Sequence, residues 1–369
     1  MTGPIKVLEV LGTSTGGVAA HVARVTEELN RDAGCEIEIA GAPDLPAEMP
    51  GDVHPLHVPK GPLGHRQAVK TLRTLISRRG YQVVHGHGLR AGIDAARAAR
   101  DAGVPVVVTV HNLVQPEIAG ALKASAFRMA EPLVAKLSDR TLAVSEEIAD
   151  RLRSAAPARA ATIEVLHLGV GEAPAVTRSS DDVRRELRLS ADDQMVVTVA
   201  RLVPQKALHV MLGAIARLPG TVHLVILGEG RLERDLRAAA ERSGIAGRVH
   251  FLGFRPDVPD HLAAADAYVL SSIWEGVPLS AQEAILLGTP IVATNVGGMP
   301  ELIEDRVSGR LVPRDDPEAL ASALSEVLDD RTAAEGYARK AAGDLRKNFS
   351  TSAMLARLTE IYRELAHEA

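Results

Sequence analysis

Short, continuous apolar runs recur along the whole chain, and they limit the available folds more than any other feature. In the first half they cover residues 6–11, 36–40, 83–85, 104–110, 140–144 and 162–166. In the second half they cover residues 195–200, 222–227, 248–252, 267–270, 291–293 and 310–312. Runs that lack polar alternation are typical of strands buried on both faces of a parallel sheet.

Amphipathic helix patterns lie between these runs, as at residues 18–29 and 232–241. Strand and helix alternate through both halves, which predicts an α/β fold with two doubly wound, Rossmann-like domains that face a ligand-binding cleft. The stretch 168–182 is rich in Gly, Pro, Ser and Thr and lacks apolar periodicity, so it marks the boundary. We expect domains at 1–170 and 171–350, followed by a helix over 351–369 that could cross back to the first domain.

Composition excludes several classes of protein. The net charge is −5 among 369 residues, which argues against a nucleic-acid partner. The single cysteine, Cys35, rules out an internal disulfide and suits a reducing compartment. The N-terminus lacks the pattern of a signal peptide, and the run at 104–110 is too short to span a bilayer. We therefore expect a cytoplasmic protein.

Two glutamates, Glu275 and Glu283, bracket the segment EGVPLSAQE, which lies between a predicted strand and a predicted helix. Gly276, Pro278 and Ser280 are residues typical of a turn and a helix start. The unpaired N–H groups of such a turn favour an anion. Carboxylates beside an anion site suit a ligand that also carries hydroxyls. A nucleotide sugar has both, because it combines a diphosphate with ribose and hexose hydroxyls.

Two cations follow the first predicted strand of the second domain, in the segment ARLVPQK. Arg201 and Lys206 lie at the carboxyl end of a parallel strand, where open α/β sheets bind ligands. Arg can grip a diphosphate through two parallel hydrogen bonds, and Lys adds a compact charge. Two solvated loop charges are the alternative reading, because Lys and Arg are common at surfaces.

A glycine-containing loop, GTSTGG, joins the first strand to the first helix and ends at Gly16 and Gly17. Glycines there let a ligand approach the backbone, and the helix start favours phosphate. A tight turn without a ligand is the alternative. The loop does not have the G-x-G-x-x-G spacing of dinucleotide-binding proteins, which argues against a nicotinamide cofactor.

Three histidines follow or end predicted strands of the first domain. His111 comes directly after the run 104–110 and could bond a sugar hydroxyl, although a satisfied, partly buried histidine is equally consistent with the pattern. His85 and His87 share one face of an extended segment, so metal binding must be considered. The sequence shows no third ligand nearby, and catalytic zinc needs three. We therefore predict no metal site.

The stretch 60–79 carries a series of basic residues, namely Lys60, Arg66, Lys70, Arg73, Arg78 and Arg79. It also has an apolar helical stripe, formed by Ala68, Val69, Leu72, Leu75 and Ile76. A basic amphipathic helix can lie on anionic lipid, which would make the protein peripheral at the inner face of a membrane. The alternative, which we favour, is a stripe that faces the domain's own core.

Taken together, these residues resemble a retaining glycosyltransferase of family 4, the glycosyl transferases group 1, with a GT-B fold. The resemblance runs from GTSTGGVAAHV to GGMPELIEDRVSGRLV, and its most specific part is the pair Glu275 and Glu283. It departs from the family pattern at residues 167–171, where HLGVG replaces the frequent Asn-Gly-Val-Asp.

The resemblance implies a role for each matching position. Arg201 and Lys206 would bind the donor diphosphate, with Gly16 and Gly17 beside the same phosphates. Glu283 would bind ribose, and His111 and Glu275 would contact the transferred sugar. The backbone beside Glu275 would also contact that sugar, through Gly276, Val277, Pro278 and Leu279. The loop at Phe254 and Arg255 would lie near the base.

The resemblance also implies the chemistry. A hexose would move from a nucleotide diphosphate sugar to an acceptor hydroxyl with retained configuration, without a metal and without a cofactor. A UDP-sugar is favoured, and GDP-mannose is possible. The acceptor is open among lipid-linked, polysaccharide and small-molecule compounds. Two alternatives remain, a nucleotide-sugar epimerase of the same fold and a non-catalytic nucleotide-sugar-binding protein.

Overall fold

The structure is a computed structural model that describes residues 3–12, 17–31, 34–43, 45, 49–56, 61–113 and 121–368, with the side chains of residues 62, 121–127 and 368 excepted. The chain divides into two compact units. The first contains the residues up to Gly169 together with those from Thr351 onward, and the second contains Val170–Ser350.

The first unit is built on a parallel sheet with the strand order β3-β2-β1-β4-β5-β6-β7. Its strands are β1 Ile5–Leu11, β2 Cys35–Gly41, β3 Val53–Pro55, β4 Val83–His87, β5 Val106–Val110, β6 Arg140–Ala143 and β7 Ile163–Val165. Its helices are α1 Gly17–Arg31, α2 Pro62–Arg79, α3 Leu89–Ala102, α4 Ala121–Leu137 and α5 Glu146–Ala155, followed by a 3₁₀ turn at Pro157–Thr162.

The second unit has a parallel sheet with the order β10-β9-β8-β11-β12-β13. Its strands are β8 Gln194–Val199, β9 Val222–Leu227, β10 Val249–Gly253, β11 Ala267–Leu270, β12 Ile291–Thr294 and β13 Arg310–Val312. Its helices are α6 Ser180–Glu186, α7 Leu208–Ile215, α8 Glu233–Arg242, α9 Val258–Ala263, α10 Leu279–Leu286, α11 Met299–Leu302, α12 Pro317–Asp329 and α13 Arg331–Asn348, with 3₁₀ turns at Pro204–Lys206 and Ala246–Arg248. The last helix, α14, spans Thr351–Glu368.

The predicted α/β fold class, with two doubly wound parallel sheets, is confirmed. The central strands are buried on both faces; every residue of β5 and of β11 is buried. This burial explains why the strands appear in the sequence as continuous apolar runs. One strand was missed, because Val53–Pro55 is short, mostly accessible and lies at the edge of its sheet. The run at 104–110 begins later than predicted, since β5 starts after Pro105.

Each sheet has one point at which successive connections turn to opposite sides. In the first unit it lies between β1 and β4, and in the second between β8 and β11. In open α/β sheets, ligands bind beyond the carboxyl ends of the strands at this switch point. The residues that follow Leu11, His87, Val199 and Leu270 are therefore those to consider for function.

Helix α14 belongs to the first unit although it follows the second unit in the chain. Its buried side chains include Leu358, Ile361, Tyr362 and Leu365, and they join a core cluster with Val7 and other residues of the first sheet. Arg357 pairs with Glu164 at 2.7 Å, which ties the helix to β7. The helix therefore completes one face of the first sheet.

Helix α2 presents its apolar stripe to the protein interior. Ala68, Leu72 and Ile76 are buried, and α2 packs on α3. The stripe faces the core of the unit, and its contact with anionic lipid through the basic side chains stays a prediction. Among the helices of the described residues, none has the length and apolar character to cross a bilayer.

Candidate functional site

The connection after β8 places Arg201 and Lys206 at the switch point of the second unit. A 3₁₀ turn at Pro204–Lys206 ends at Ala207, whose φ of 43° is left-handed. The Arg201 side chain is exposed and forms no ion pair with any described carboxylate. Lys206 is only 13% exposed at its side chain. The two predicted cations therefore differ, because Arg201 faces solvent and Lys206 points inward.

The Lys206 ammonium contacts Glu275, which lies in the connection after β11. Nζ of Lys206 and Oε1 of Glu275 are 2.6 Å apart, and the Glu275 side chain is 8% exposed. The structure thus brings together two residues that are 69 positions apart in sequence. A charge pair this buried must be well hydrogen-bonded to be tolerated, since taking each charge out of water costs several kcal/mol.

Further hydrogen bonds join the same two connections. The N–H of Ile273 donates to the carbonyl of Gln205 at 2.8 Å, and the Gln205 amide donates to the carbonyl of Trp274 at 3.0 Å. The Ser271 hydroxyl donates to the carbonyl of Lys206 at 2.9 Å. The sequence did not reveal these contacts. A polar side chain that hydrogen-bonds a carbonyl of another connection has no recognisable spacing in the sequence. These hydrogen bonds hold the two connections together, so Lys206 and Glu275 stay close to each other.

Glycines after β12 allow a third connection to approach Glu275. Gly297 has a left-handed φ of 57°, and a Cβ there would lie 1.6 Å from the Glu275 carbonyl oxygen. At Gly298 a Cβ would lie 2.3 Å from the Gly276 carbonyl, to which the Gly298 N–H donates at 2.8 Å. The pair GG at 297–298, in the connection after the predicted strand 291–293, was the signal that could have found this contact.

The second glutamate of the motif lies in α10 and is half-buried. Tyr268 of β11 bonds Ser280 of the same helix at 2.8 Å. Burial raises the pKa of the Tyr268 phenol, and the charges of Glu275 and Glu283 add to that rise. Both carboxylates of the motif are thus near one buried phenol.

Helix α10 has no side-chain cap at Pro278. Of the residues beside Glu275, Gly276, Val277 and Pro278 are buried, and Leu279 is half-buried.

The connection after β9 packs on the backbone around Arg201. The N–H of Leu202 donates to the carbonyl of Glu229 at 2.9 Å. At Gly230 a Cβ would lie 2.5 Å from the Leu202 carbonyl, so only glycine permits this approach. Sequence reasoning missed the segment, although GEG at 228–230 directly follows a predicted strand.

The predicted base-contacting loop shows two different environments. Phe254 is 77% exposed, and its N–H donates to Glu229 at 3.3 Å. Arg255 is engaged with Asp257 at 2.7 Å and with Glu186 at 3.0 Å. The proximity of Arg255 holds the pKa of Asp257 well below its usual range. A contact between either residue and a base stays a prediction.

In the first unit, Gly17 is the first residue of α1, whereas Gly16 lies outside the described residues. His111 follows β5 and is buried. Its Nε2 is 3.1 Å from Nδ1 of His87, and its Nδ1 has no hydrogen-bond partner among the described residues. Burial lowers the pKa of His111 to about 4, so this imidazole is neutral at neutral pH.

The statement that no third ligand lies near His85 and His87 was wrong. Glu9 of β1 lies opposite His85 in register, and the three residues have ligand atoms within 4.8 Å of one another. Both ring nitrogens of His85 are occupied, however. Nδ1 bonds the Tyr362 hydroxyl at 2.6 Å and Nε2 bonds the Thr109 hydroxyl at 2.7 Å. His85 is therefore not available as a ligand, and the absence of a metal site stays a prediction.

Two doubly wound units, with a cation and a carboxylate joined at a switch point, define a nucleotide-binding α/β protein. Comparison with known proteins narrows the class. Residues 179–345 match the description "Glycosyl transferases group 1", and residues 15–172 match "Glycosyltransferase Family 4". The chain belongs to this family of glycosyltransferases.

Two relatives illustrate the similarity. A D-inositol 3-phosphate glycosyltransferase of Mycobacteroides abscessus is 36% identical over 275 residues, which are 71% of this chain and 61% of the relative. A UDP-Gal:alpha-D-GlcNAc-diphosphoundecaprenol alpha-1,3-galactosyltransferase of Escherichia coli is 30% identical over 274 residues, 71% of this chain and 70% of the relative. The match thus spans about three-fifths of the length of the first relative.

Solved structures share the fold. HepE of Anabaena in complex with UDP-glucose superimposes with a TM-score of 0.84 at 22% sequence identity, covering 98% of this chain and all of that one. This similarity confirms the GT-B fold class that the resemblance implied.

Proposed function

We propose that this protein is a retaining glycosyltransferase that moves a hexose from a nucleotide diphosphate sugar to an acceptor hydroxyl without a metal ion. One observation carries the proposal: Lys206 Nζ lies 2.6 Å from Glu275 Oε1, where the connections after β8 and β11 meet. A cation beside a carboxylate at a switch point suits a ligand that has both a diphosphate and hydroxyls.

The cations would stabilise the leaving diphosphate. An ammonium has three donors, so Lys206 can keep its bond to Glu275 while it donates to a phosphate oxygen. Arg201 is exposed and can offer two parallel hydrogen bonds. Each charge-assisted bond contributes about 1.5–3 kcal/mol. Stabilisation of charge that develops in the transition state is the largest catalytic effect such a site can supply.

The two glutamates would recognise hydroxyl groups. An ionised carboxylate only accepts hydrogen bonds, which fits ribose and hexose hydroxyls as donors. Glu275 would hold the transferred sugar while it orients Lys206, and Glu283 would hold the ribose. In this scheme the bond between the anomeric carbon and the diphosphate breaks, the acceptor oxygen bonds the anomeric carbon on the same face, and a phosphate oxygen of the leaving diphosphate takes the acceptor proton. No side-chain nucleophile is then needed, and the configuration is retained.

The donor would be a UDP-sugar, with GDP-mannose as the alternative. The galactosyltransferase relative is named for UDP-Gal, and the Anabaena structure holds UDP-glucose. A thermal-shift screen with UDP-, GDP- and ADP-sugars tests this choice, because a ligand that binds the folded state raises the melting temperature.

The acceptor would be a phosphate-bearing compound. The names of the two relatives contain D-inositol 3-phosphate and a diphosphoundecaprenol-linked sugar. The first unit also has a groove of about 590 Å³, lined by Gly61, His65, Arg66, Val69 and Arg97. Arg66 and Arg97 would supply guanidinium groups for such a phosphate. Phosphorylated acceptors therefore come first in an activity panel.

Substitution of the site residues tests the proposal. Arg201→Ala and Glu283→Ala each remove one predicted donor contact, so kcat/KM for nucleotide release should fall about 10- to 100-fold. Two matched controls lie on the same unit, Arg217→Ala just after α7 and Glu241→Ala on α8; both residues are exposed. Wild-type rates for both site variants would refute the assignment of the site.

The products separate the alternatives. Conversion of a nucleotide sugar without any acceptor would favour an epimerase. Donor binding by calorimetry without turnover on the acceptor panel would favour a binding protein. NMR of the product reports its anomeric configuration, and activity that persists in EDTA supports a metal-independent reaction.

A further inference from the structure

A buried carboxyl group, that of Glu9, lies on the same face of the first sheet as His87 and His111, and the proposed chemistry does not use it. Glu9 sits in the middle of β1 with no exposed surface. Its Oε2 accepts a hydrogen bond from the Thr26 hydroxyl at 3.0 Å. Its Oε1 finds no partner among the described residues. Such a group is costly to bury, so its presence in a central strand calls for a reason.

The sheet arranges polar groups in a row from Glu9 to His111. Between β1 and β4, Glu9 pairs with His85 and Leu11 pairs with His87. Between β4 and β5, His87 pairs with Thr109. Side chains alternate along a strand, so Glu9, His87 and His111 project from the same face. Nε2 of His87 lies 4.0 Å from Oε2 of Glu9, and Nδ1 of His87 lies 3.1 Å from Nε2 of His111.

Besides Oε1 of Glu9, two atoms in this row are buried and lack a partner in the described part of the chain. They are Nε2 of His87, which faces Glu9, and Nδ1 of His111 at the other end. At the carboxyl edge of the sheet, where His111 lies, ligands bind in open α/β folds. The row therefore connects a buried acid to a nitrogen that is placed to meet a ligand.

We propose that Glu9 is a positioning residue that acts through His87 and sets which nitrogen of His111 carries the proton. The inference rests on the proposed function, because it assumes that His111 Nδ1 meets a hydroxyl of the bound sugar. Two neutral imidazoles that share one hydrogen bond must divide the roles of donor and acceptor. The protonation state of Glu9 decides which of the two imidazoles donates the hydrogen bond and which accepts it.

A protonated Glu9 favours one arrangement. A neutral Glu9 places no negative charge 4.0 Å from Nε2 of His87, so nothing draws the proton of His87 to that nitrogen and it stays on Nδ1. That N–H then donates to Nε2 of His111, so His111 carries its own proton on Nδ1 and offers it to the ligand. An ionised Glu9 favours the reverse, with N–H on Nε2 of His87 and a bare Nδ1 on His111. At 4.0 Å the coupling is electrostatic, and burial strengthens it.

The groups around Glu9 leave it as the one that titrates near neutrality. Cys35 on β2 and Tyr362 on α14 interact with Glu9 electrostatically, and His85 and His87 on β4 have ring nitrogens within 4.8 Å of its carboxylate. One step further out, His21 on α1 and His111 after β5 act on His87, Arg24 on α1 acts on His21, and Arg363 on α14 acts on Cys35. Burial raises the pKa of Glu9 to about 8, against a lowering by Thr26. Burial lowers the pKa of the four histidines, and it raises the pKa of Cys35 and of Tyr362.

Nitrogen-15 NMR of the imidazoles tests the inference without relying on turnover. In the wild type, His111 should carry its proton on Nδ1 near pH 7 and transfer it to Nε2 as the pH passes about 8. Nucleotide release should fall by about tenfold for each pH unit above that value. Glu9→Gln stays neutral at every pH, so the His111 tautomer should stay fixed and the alkaline loss should disappear.

Glu38→Gln is the matched control. Glu38 is a buried carboxyl on β2, but it pairs with Leu8 in register and so lies on the opposite face, bonded to Tyr81. This variant should keep the wild-type tautomer change and pH profile. Metal content measured on the same samples should be below one equivalent.

Three results would overturn the inference: a wild-type His111 tautomer that does not change between pH 6.5 and 9.5, an unchanged alkaline loss in Glu9→Gln, or a stoichiometric divalent metal. The wild-type measurement needs no variant to fold. If no sample releases nucleotide, the proposed function fails, and the NMR measurement still decides the role of Glu9.

Discussion

At the scale of single residues, the pair formed by Lys206 and Glu275 shows how structural and functional roles combine. Each side chain is largely buried, and each neutralises the other. Removal of one partner leaves a buried charge without compensation, which costs more than the pair itself contributes. The stability of this part of the second unit therefore depends on both residues, in addition to the ligand-binding role proposed for them.

A double-mutant cycle should reveal this coupling. Lys206→Met and Glu275→Gln should each destabilise the second unit by about 3 kcal/mol, and the double variant should cost less than the sum by about 1–3 kcal/mol. Trp274 is the only tryptophan and is buried beside Glu275, so its fluorescence during urea unfolding reports this unit.

The exposed pair Arg237 and Glu233 on α8 provides the control cycle. Its coupling should be about 0.5 kcal/mol or less. Additive losses at Lys206 and Glu275 would mean that the observed contact does not stabilise the unit.

Residues that end up at the carboxyl ends of strands could be predicted from the sequence. Arg201, Lys206 and Glu275 lie in the connections that follow continuous apolar runs, so strand prediction alone placed them at one edge of a sheet. Glu9 could not be found in this way. It lies inside a strand, and its relation to His87 depends on the register between β1 and β4, which a single sequence does not reveal.

At the scale of elements, the glycines of the second unit decide how closely its connections pack. Gly297 approaches the backbone of Glu275, whereas Gly288, at the end of α10, has open space around its Cβ position. Both have left-handed φ values, 57° and 78°. The two positions thus share a left-handed backbone conformation, and they differ in whether a Cβ would meet neighbouring atoms.

This difference predicts unequal effects of alanine. Gly288→Ala should cost about 1–2 kcal/mol, which is the cost of a left-handed conformation for a residue with a Cβ. Gly297→Ala must also displace the backbone at Glu275, so it should cost several kcal/mol and raise the donor KM. Urea unfolding followed by Trp274 fluorescence, together with nucleotide-release kinetics, measures both. Equal losses in the two variants would show that the close approach to Glu275 does not matter.

Glycine spacing at these connections shows what sequence reasoning missed and why. The segments GEG at 228–230 and GG at 297–298 each follow a predicted strand, yet neither matches a known phosphate-binding fingerprint. Their role is to admit a neighbouring backbone, which becomes visible only when both connections are in place. The position of a strand can be predicted from the residues of that strand alone. The packing of two connections depends on residues far apart in the sequence, so it cannot be predicted in this way.

At the scale of the whole molecule, the chain order and the structural units do not coincide. Helix α14 comes last in the sequence, after the second unit, but its buried side chains belong to the core of the first. Tyr362 also bonds His85, so the helix supports the face of the sheet that carries Glu9 and His87. The stability of the first unit should therefore depend on the last residues of the chain.

Replacement of a buried residue in α14 tests this dependence. Ile361 is fully buried, and Ile361→Ala should destabilise the first unit by about 2–5 kcal/mol through lost burial and the cavity that remains. Glu360→Ala, one residue earlier and 60% exposed at its side chain, should change stability by less than about 0.5 kcal/mol.

Two probes of urea unfolding separate the units. Circular dichroism follows the whole chain, and Trp274 fluorescence follows the second unit alone. The Ile361 variant should shift the first unit's part of the dichroism transition and leave the fluorescence midpoint in place. A fluorescence midpoint that moves by the same amount would contradict the assignment of α14 to the first unit's core.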